Sequence, residues 1–318
     1  MRIEVLRRLL AAALIVANPL LAQGAFAAEK LTVLLDWFVN PDHGTLIVAD
    51  KLGYFKDVGL EITMIEPGNP NDPPKLVAAG KADLAISYQP QLHLHAARGL
   101  PLVRIATVVA TPLTALVVLE SGPVKKIADL KGKKVGFSVG GFEDAILGAM
   151  LEKHGLSNKD VELVNVNFSL SPSLIAGQVD AVIGAYRNFE LNQMDIVGKP
   201  GRAFYVEEEG VPAYDELILV ANRADLGKPA LRAFVGAMER GVQYIVNHPD
   251  EAWDLFKSYK KGLDDELNRR AWRDTLRRFA LRPAALDVTR YERFAEFVIE
   301  RGLAKKMPAV DTYTTVLK

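Results

Sequence analysis

The chain has 318 residues, 49% of them hydrophobic and 25% charged, which are globular proportions and exclude disordered and collagen-like classes. Its 39 basic residues balance 39 acidic ones, leaving no cationic surplus for general nucleic-acid binding. There is no cysteine, which removes disulfides, thiolate catalysis, iron–sulfur ligation and cysteine–zinc sites together.

Residues 1–27 read as a secretory signal peptide. Arg2, Arg7 and Arg8 form a positive start, Leu9 to Ala22 an apolar run, and Ala25-Phe26-Ala27 a small-x-small cleavage site. Cleavage after Ala27 removes those three arginines and Glu4, leaving 36 basic and 38 acidic residues and a formal charge of −2. An exported chain without disulfides must be held by a large core.

Strand and helix signals then alternate. Leu31–Leu35, Leu60–Ile65, Leu84–Ser87 and Val103–Val109 are predicted strands, with helices over Thr45–Leu52, Pro74–Ala79 and about Pro90–Arg98. A second set follows: strands at Thr114–Leu119, Lys134–Val139, Val161–Val166, Asp180–Gly184 and Leu217–Ala221, and a helix over Glu143–His154. From Pro229 the pattern is helical, with apolar positions at three- and four-residue spacing. This order predicts an α/β protein with mostly parallel sheets covered by helices. The two blocks suggest two lobes: 28–112 with 217–318, and 113–216. The crossings are expected near Thr111-Pro112-Leu113 and Gly210-Val211-Pro212-Ala213, with a ligand cleft between the lobes.

Loops at the carboxyl ends of parallel strands are where open α/β sheets bind ligands. The loop after the first strand carries Trp37, Asn40 and His43: an aromatic face, an amide and an imidazole together. Ser87 and Tyr88 stand in the equivalent position after a later strand. Gly140 and Gly141 join a strand to a helix and permit close backbone approach to an anion or polar edge, or form only a tight turn. Tyr186 precedes a helix expected to start near Asn188. That places Glu190 in the first turn, where it either complements the helix dipole or accepts hydrogen bonds from an exocyclic amine. His93 and His95, two apart on a helix, point to different faces and read as ordinary surface or core histidines. Asp264-Asp265-Glu266 reads as a helix cap and first turn. No cofactor motif, metal set or hydrolase elbow is present in the sequence pattern.

The sequence resembles periplasmic substrate-binding proteins of ABC importers, in the branch related to the thiamine-pyrimidine synthase domain. The resemblance runs over nearly the whole mature chain. It lies in Leu35-Asp36-Trp37 with Asn40 and His43, Gly53-Tyr54-Phe55, Ala78 to Ser87, Asp129 to Lys133 and Gly177 to Ala181. The final phrase, Glu209 to Asp215, includes Tyr214 and Asp215. The resemblance implies a two-lobed type II periplasmic binding protein fold with two hinge crossings. It also implies a cargo that is the aminopyrimidine precursor of thiamine or an N-formyl derivative. By it, Trp37 and Tyr186 sandwich the ring while Glu190 and Asn40 bond its polar atoms. Asn188, Tyr214 and Asp215 belong to the same segments and join the candidate ligand-binding set. The implied partners are the small-molecule ligand and the membrane permease of an ABC importer with a separate ATPase. No nucleic acid is expected, and the protein is expected to be monomeric. Synthases of the wider family consume a histidine and use a cysteine-rich motif, which this chain lacks. An enzyme with Glu190 or His43 as acid–base group, and a cargo such as a sulfonate, nitrate, riboflavin precursor or aromatic acid, are the rival readings.

Overall fold

The computed structural model of the chain describes residues 28–317; the expected signal peptide and its cleavage site after Ala27 lie outside them. Ten strands form two sheets. The first sheet is built from β1 (Glu29–Leu34), β2 (Leu60–Ile65), β3 (Leu84–Ser87), β4 (Leu102–Val109) and, late in the chain, β10 (Leu217–Asn222). The second is built from β5 (Thr114–Leu119), β6 (Lys134–Phe137), β7 (Glu162–Asn165), β8 (Ala181–Tyr186) and β9 (Gly201–Tyr205). Their orders, β2-β1-β3-β10-β4 and β7-β6-β8-β5-β9, follow one plan. Three strands run parallel, and the fourth, which has just arrived from the other sheet, is antiparallel to both its neighbours.

The sequence explains the central strands directly. Every residue of β4 is buried, and β3 and β10 are nearly so, the continuous apolar run of strands covered on both faces. The long helix Pro229–Asn247 starts on a proline, which needs no N–H there. It buries Leu231, Phe234, Val235, Met238, Val242 and Ile245 at helical spacing. It crosses the helix Gly44–Lys51 at Gly241, where an added Cβ would stand 2.6 Å from the Thr45 carbonyl.

Two elements depart from expectation. Strand β8 does not stop at Gly184 but continues to Tyr186. Gly184 is a bulge: its φ is +92°, and the register with β5 passes from Ala185 to Ile183 without pairing it. Strand β9 has no clear sequence signal, because it is an edge strand, half-buried throughout, and begins on a glycine. Helix ends otherwise differ from expectation by a residue or two; Asp265 caps the helix Glu266–Thr275, as the cap reading of Asp264-Asp265-Glu266 expects.

The chain passes between the sheets at 110–113 and at 206–216. Glu216, fully buried, ties the two passages together. Its carboxylate accepts from the N–H groups of Leu113 (2.6 Å) and Thr114 (2.8 Å), from the Thr114 hydroxyl (3.0 Å) and from the Tyr214 hydroxyl (3.2 Å). Truncating it would strand several buried donors, each costing on the order of 1–3 kcal/mol. We therefore expect Glu216→Ala to lose at least about 3 kcal/mol of stability, and Glu216→Gln, which keeps one acceptor oxygen, to lose clearly less. Urea unfolding of the two variants measures the difference.

Candidate functional site

Four strand ends converge between the sheets. Beyond β1 the loop Leu35–Asn40 leads into a short 3-10 helix, Pro41–His43; beyond β3, Tyr88 caps the helix Gln89–Ala97. Beyond β6 the loop 138–142 leads into the helix Glu143–Lys153, and beyond β8 a turn leads into the helix Glu190–Ile196. They enclose about 400 Å³ of empty space, solvent at the mouth included, lined by Asp36, Trp37, Asn40, Tyr88, Phe142, Glu143, Leu170, Gly184, Tyr186, Phe189 and Glu190. The lining comes from both lobes, and no lysine or arginine belongs to it.

Trp37 meets Phe168 of the other sheet edge-on at 4.6 Å between ring centres, and Tyr88 stacks on Phe142 at 4.8 Å. Polar bonds also cross the gap. Asn188 donates to Asp42 (2.7 Å) and lies against the Thr275 hydroxyl (2.7 Å), while the Asn71 side-chain oxygen accepts from the Gly140 N–H at 3.0 Å. These contacts hold the two halves against each other.

Each carboxyl at the cavity is aimed by its neighbours. Asp36 accepts the Tyr88 hydroxyl on one oxygen (2.9 Å) and pairs with His43 Nε2 on the other (2.9 Å). Glu190, the first residue of its helix, accepts the Tyr186 N–H on one oxygen at 2.7 Å. Glu143, also first in its helix, accepts the Ser138 N–H at 2.7 Å. It sits over the bulge glycine: a Cβ on Gly184 would stand 2.4 Å from the Glu143 carboxyl. Burial in this cation-free space raises the carboxyl pKa of Glu143 to about 8 and that of Glu190 to about 7, against the pull of their backbone N–H bonds. Glu216 rises to about 7 and Asp42 to about 6, again chiefly by desolvation.

Among the residues singled out from the sequence, the fold brings Trp37, Asn40, Tyr88, Tyr186 and Glu190 to this cavity. Asn40 is at the same time a helix cap: its oxygen accepts the Asp42 N–H (2.8 Å) and its amide donates to the Phe38 carbonyl (3.1 Å), leaving one N–H for a ligand. The other seven do not line the cavity. His43 uses both ring nitrogens, on the Asn40 N–H and on Asp36. Ser87 donates to Gln91. The Gly140 and Gly141 N–H groups are taken by Asn71 and Asp144, so neither glycine offers its N–H to an anion. Asn188 bridges the halves, Tyr214 serves Glu216, and Asp215 accepts from Thr107 and Arg290. Arg187, the cation an anionic cargo would need, is held by Glu207 in two bonds of 2.7 and 2.8 Å and lies over Tyr205.

Glu143, Asp36, Phe142, Leu170, Gly184 and Phe189 complete the lining without having been singled out. A signal for Glu143 existed: an acid directly after the Gly-Gly-Phe that follows a strand end. His93 is a core residue, bonded to the Gln89 and Tyr291 carbonyls. Among the described residues no cluster of three or more potential metal ligands occurs, and no helix is long and apolar enough to cross a membrane.

The family described as "NMT1/THI5 like" matches residues 40–252. The chain belongs to this family. A Haemophilus influenzae relative named for thiamine biosynthesis is 54% identical over 295 residues, 92% of this chain and 94% of that one. The formylaminopyrimidine-binding protein of Halalkalibacterium halodurans is 38% identical over 231 residues, 72% and 70% of the two chains. The family also holds enzymes by name: a Candida albicans 4-amino-5-hydroxymethyl-2-methylpyrimidine phosphate synthase is 29% identical, over 76% of this chain and 75% of its own. Among solved structures, the alkanesulfonate-binding protein of Xanthomonas axonopodis pv. citri bound to MOPS has a TM-score of 0.71 at 18% identity, covering 91% of this chain and 99% of that one. At that identity it shows the fold alone, which is the two-lobed periplasmic binding protein fold.

The raised carboxyls give this member of the family a definite pH signature. The folded state holds protons that the unfolded chain has released, so these groups cost nothing below about pH 4.5 and cost progressively more as pH rises to about 8. Glu143→Gln removes one of them. Relative to the parent it should gain stability between pH 5 and pH 9, by on the order of a few kcal/mol at the upper end. Urea unfolding at three pH values reads this. A companion variant, Gly184→Ala, should lose on the order of 1–3 kcal/mol through backbone strain and the Glu143 contact.

Proposed function

We propose that the chain is an exported solute-binding protein for the aminopyrimidine precursor of thiamine or its N-formyl derivative. It takes the flat ring into the interlobe cavity and hands it to the membrane permease of an ABC importer with a separate ATPase. The observation that carries this reading is the make-up of the cavity: Trp37 and Tyr186 offer aromatic faces, carboxyls sit at the edges, and no cation is present. An aminopyrimidine is planar, apolar on its faces and rich in N–H donors at its rim. A sulfonate or nitrate would find no lysine or arginine in the lining to offset its charge.

The energetics suffice. Stacking on an aromatic side chain contributes about 1–3 kcal/mol per base, and a hydrogen bond to a charged group about 1.5–3. Two faces and two such bonds reach the −8.2 kcal/mol of a micromolar complex. The Asn188 and Asn71 bonds across the gap favour the closed arrangement. The name of the Halalkalibacterium relative supports the ligand. The synthase reading finds less support. His43 is buried with both ring nitrogens engaged, and the chain has no cysteine for the motif attributed to those enzymes.

Export through a signal peptide cut after Ala27, residence in the periplasm, a monomeric state and lobes at 28–112 with 217–318 and at 113–216 all belong to the same proposal. Its test is the melting temperature of residues 28–318 with formylaminopyrimidine, with 4-amino-5-hydroxymethyl-2-methylpyrimidine and with an aliphatic sulfonate. The pyrimidines should raise it and be recovered unchanged. Trp37→Ala should weaken their binding about tenfold to a hundredfold, the value of one stacked face. A rise with the sulfonate alone overturns the ligand class, and conversion of the pyrimidine overturns the transport role.

A further inference from the structure

Two of the three carboxyls that line this cavity are held alike. Glu143 and Glu190 each open a helix, each is more than nine-tenths buried, and each gives one oxygen to a backbone N–H. A further backbone N–H, that of Val139 for Glu143 and its own for Glu190, also faces each carboxyl; neither has a side-chain partner, and both border the cavity. Ionising both in a space without a cation is costly, so one must keep its proton.

Position decides which. Glu143 is pressed against Gly184, with no side chain between carboxyl and strand. Every charged or titratable group that faces it is an acid or a phenol: Asp144 on its own helix, Glu216 at the hinge, Glu190 and Tyr186 beside β8, and Asp36 and Tyr88 from the other lobe. The one nearby imidazole, His43, stands behind Asp36 and is spent on it. The Ser138 N–H holds one oxygen of Glu143 at 2.7 Å, and the carboxyl borders the cavity.

We propose that Glu143 acts as a neutral hydrogen-bond donor inside the cavity, complementary to Glu190 as acceptor. The preferred ligand is then a neutral heterocycle that offers an acceptor, a ring nitrogen or a carbonyl oxygen, as well as an amine. This rests on the cavity being the ligand site proposed above, and extends it by assigning a residue and a polarity that set specificity.

The experiment measures the affinity of formylaminopyrimidine for the parent, Glu143→Gln and Glu143→Leu from pH 6 to pH 9.5 by calorimetry. In the parent, affinity should fall above about pH 8 as Glu143 ionises, toward tenfold per pH unit. Glu143→Gln keeps an N–H donor at every pH. It should bind near the parent's neutral-pH affinity and lose the alkaline fall; the ligand's own titration is common to both and cancels. Glu143→Leu should bind about tenfold to a hundredfold more weakly at neutral pH. A Gln variant that repeats the parent's fall, or a Leu variant that binds as tightly as the parent, overturns the role of Glu143. A parent that binds no formylaminopyrimidine at any pH overturns the pyrimidine reading itself, and this assignment with it.

Discussion

The arrangement depends on one constraint: the carboxyls of Glu143 and Glu190 are buried at a cavity between two lobes whose lining holds no lysine or arginine. A buried carboxylate without a cation must find hydrogen-bond donors or hold its proton. Here backbone N–H groups supply part of what is needed. Ser138 serves Glu143, Tyr186 serves Glu190, and Leu113 and Thr114 serve Glu216. What remains unmet is directed at the cavity, where a ligand can meet it.

The fold makes such burial possible. Loops that follow parallel strands lie at one edge of each sheet, and the two edges face each other. Helices beginning at those loops place acids in their first turn, where the dipole favours them. The bulge at Gly184 removes a side chain where the Glu143 carboxyl must sit. The cavity reaches the hinge through Tyr186, whose hydroxyl lies 3.5 Å from Glu216. Site and crossing are therefore built from one polar network rather than two.

This also separates the chain from neighbours that share its architecture. The sulfonate-binding structure is alike in shape at 18% identity. Architecture places a cavity between lobes; its lining decides what the cavity accepts. In this chain Arg187 is held by Glu207, and the N–H groups of Gly140 and Gly141 are engaged by Asn71 and Asp144.

Alternation of apolar runs with turn residues determined the α/β class and most strand and helix positions, because those signals are local. The loop after β1 and the segment around Glu190 were legible as site candidates for the same reason: both follow strands directly. The sequence could not tell a ligand contact from a structural bond. Ser87, Asn188, Tyr214 and Asp215 have suitable chemistry and position, yet the fold gives their polar atoms protein partners. Nor could it show what surrounds Glu143, whose importance comes from Gly184, distant along the chain, and from the acids packed around it. Strand and helix type follow from neighbours in sequence; the electrostatic state of a buried group follows from neighbours in space, and only the tertiary structure supplies those.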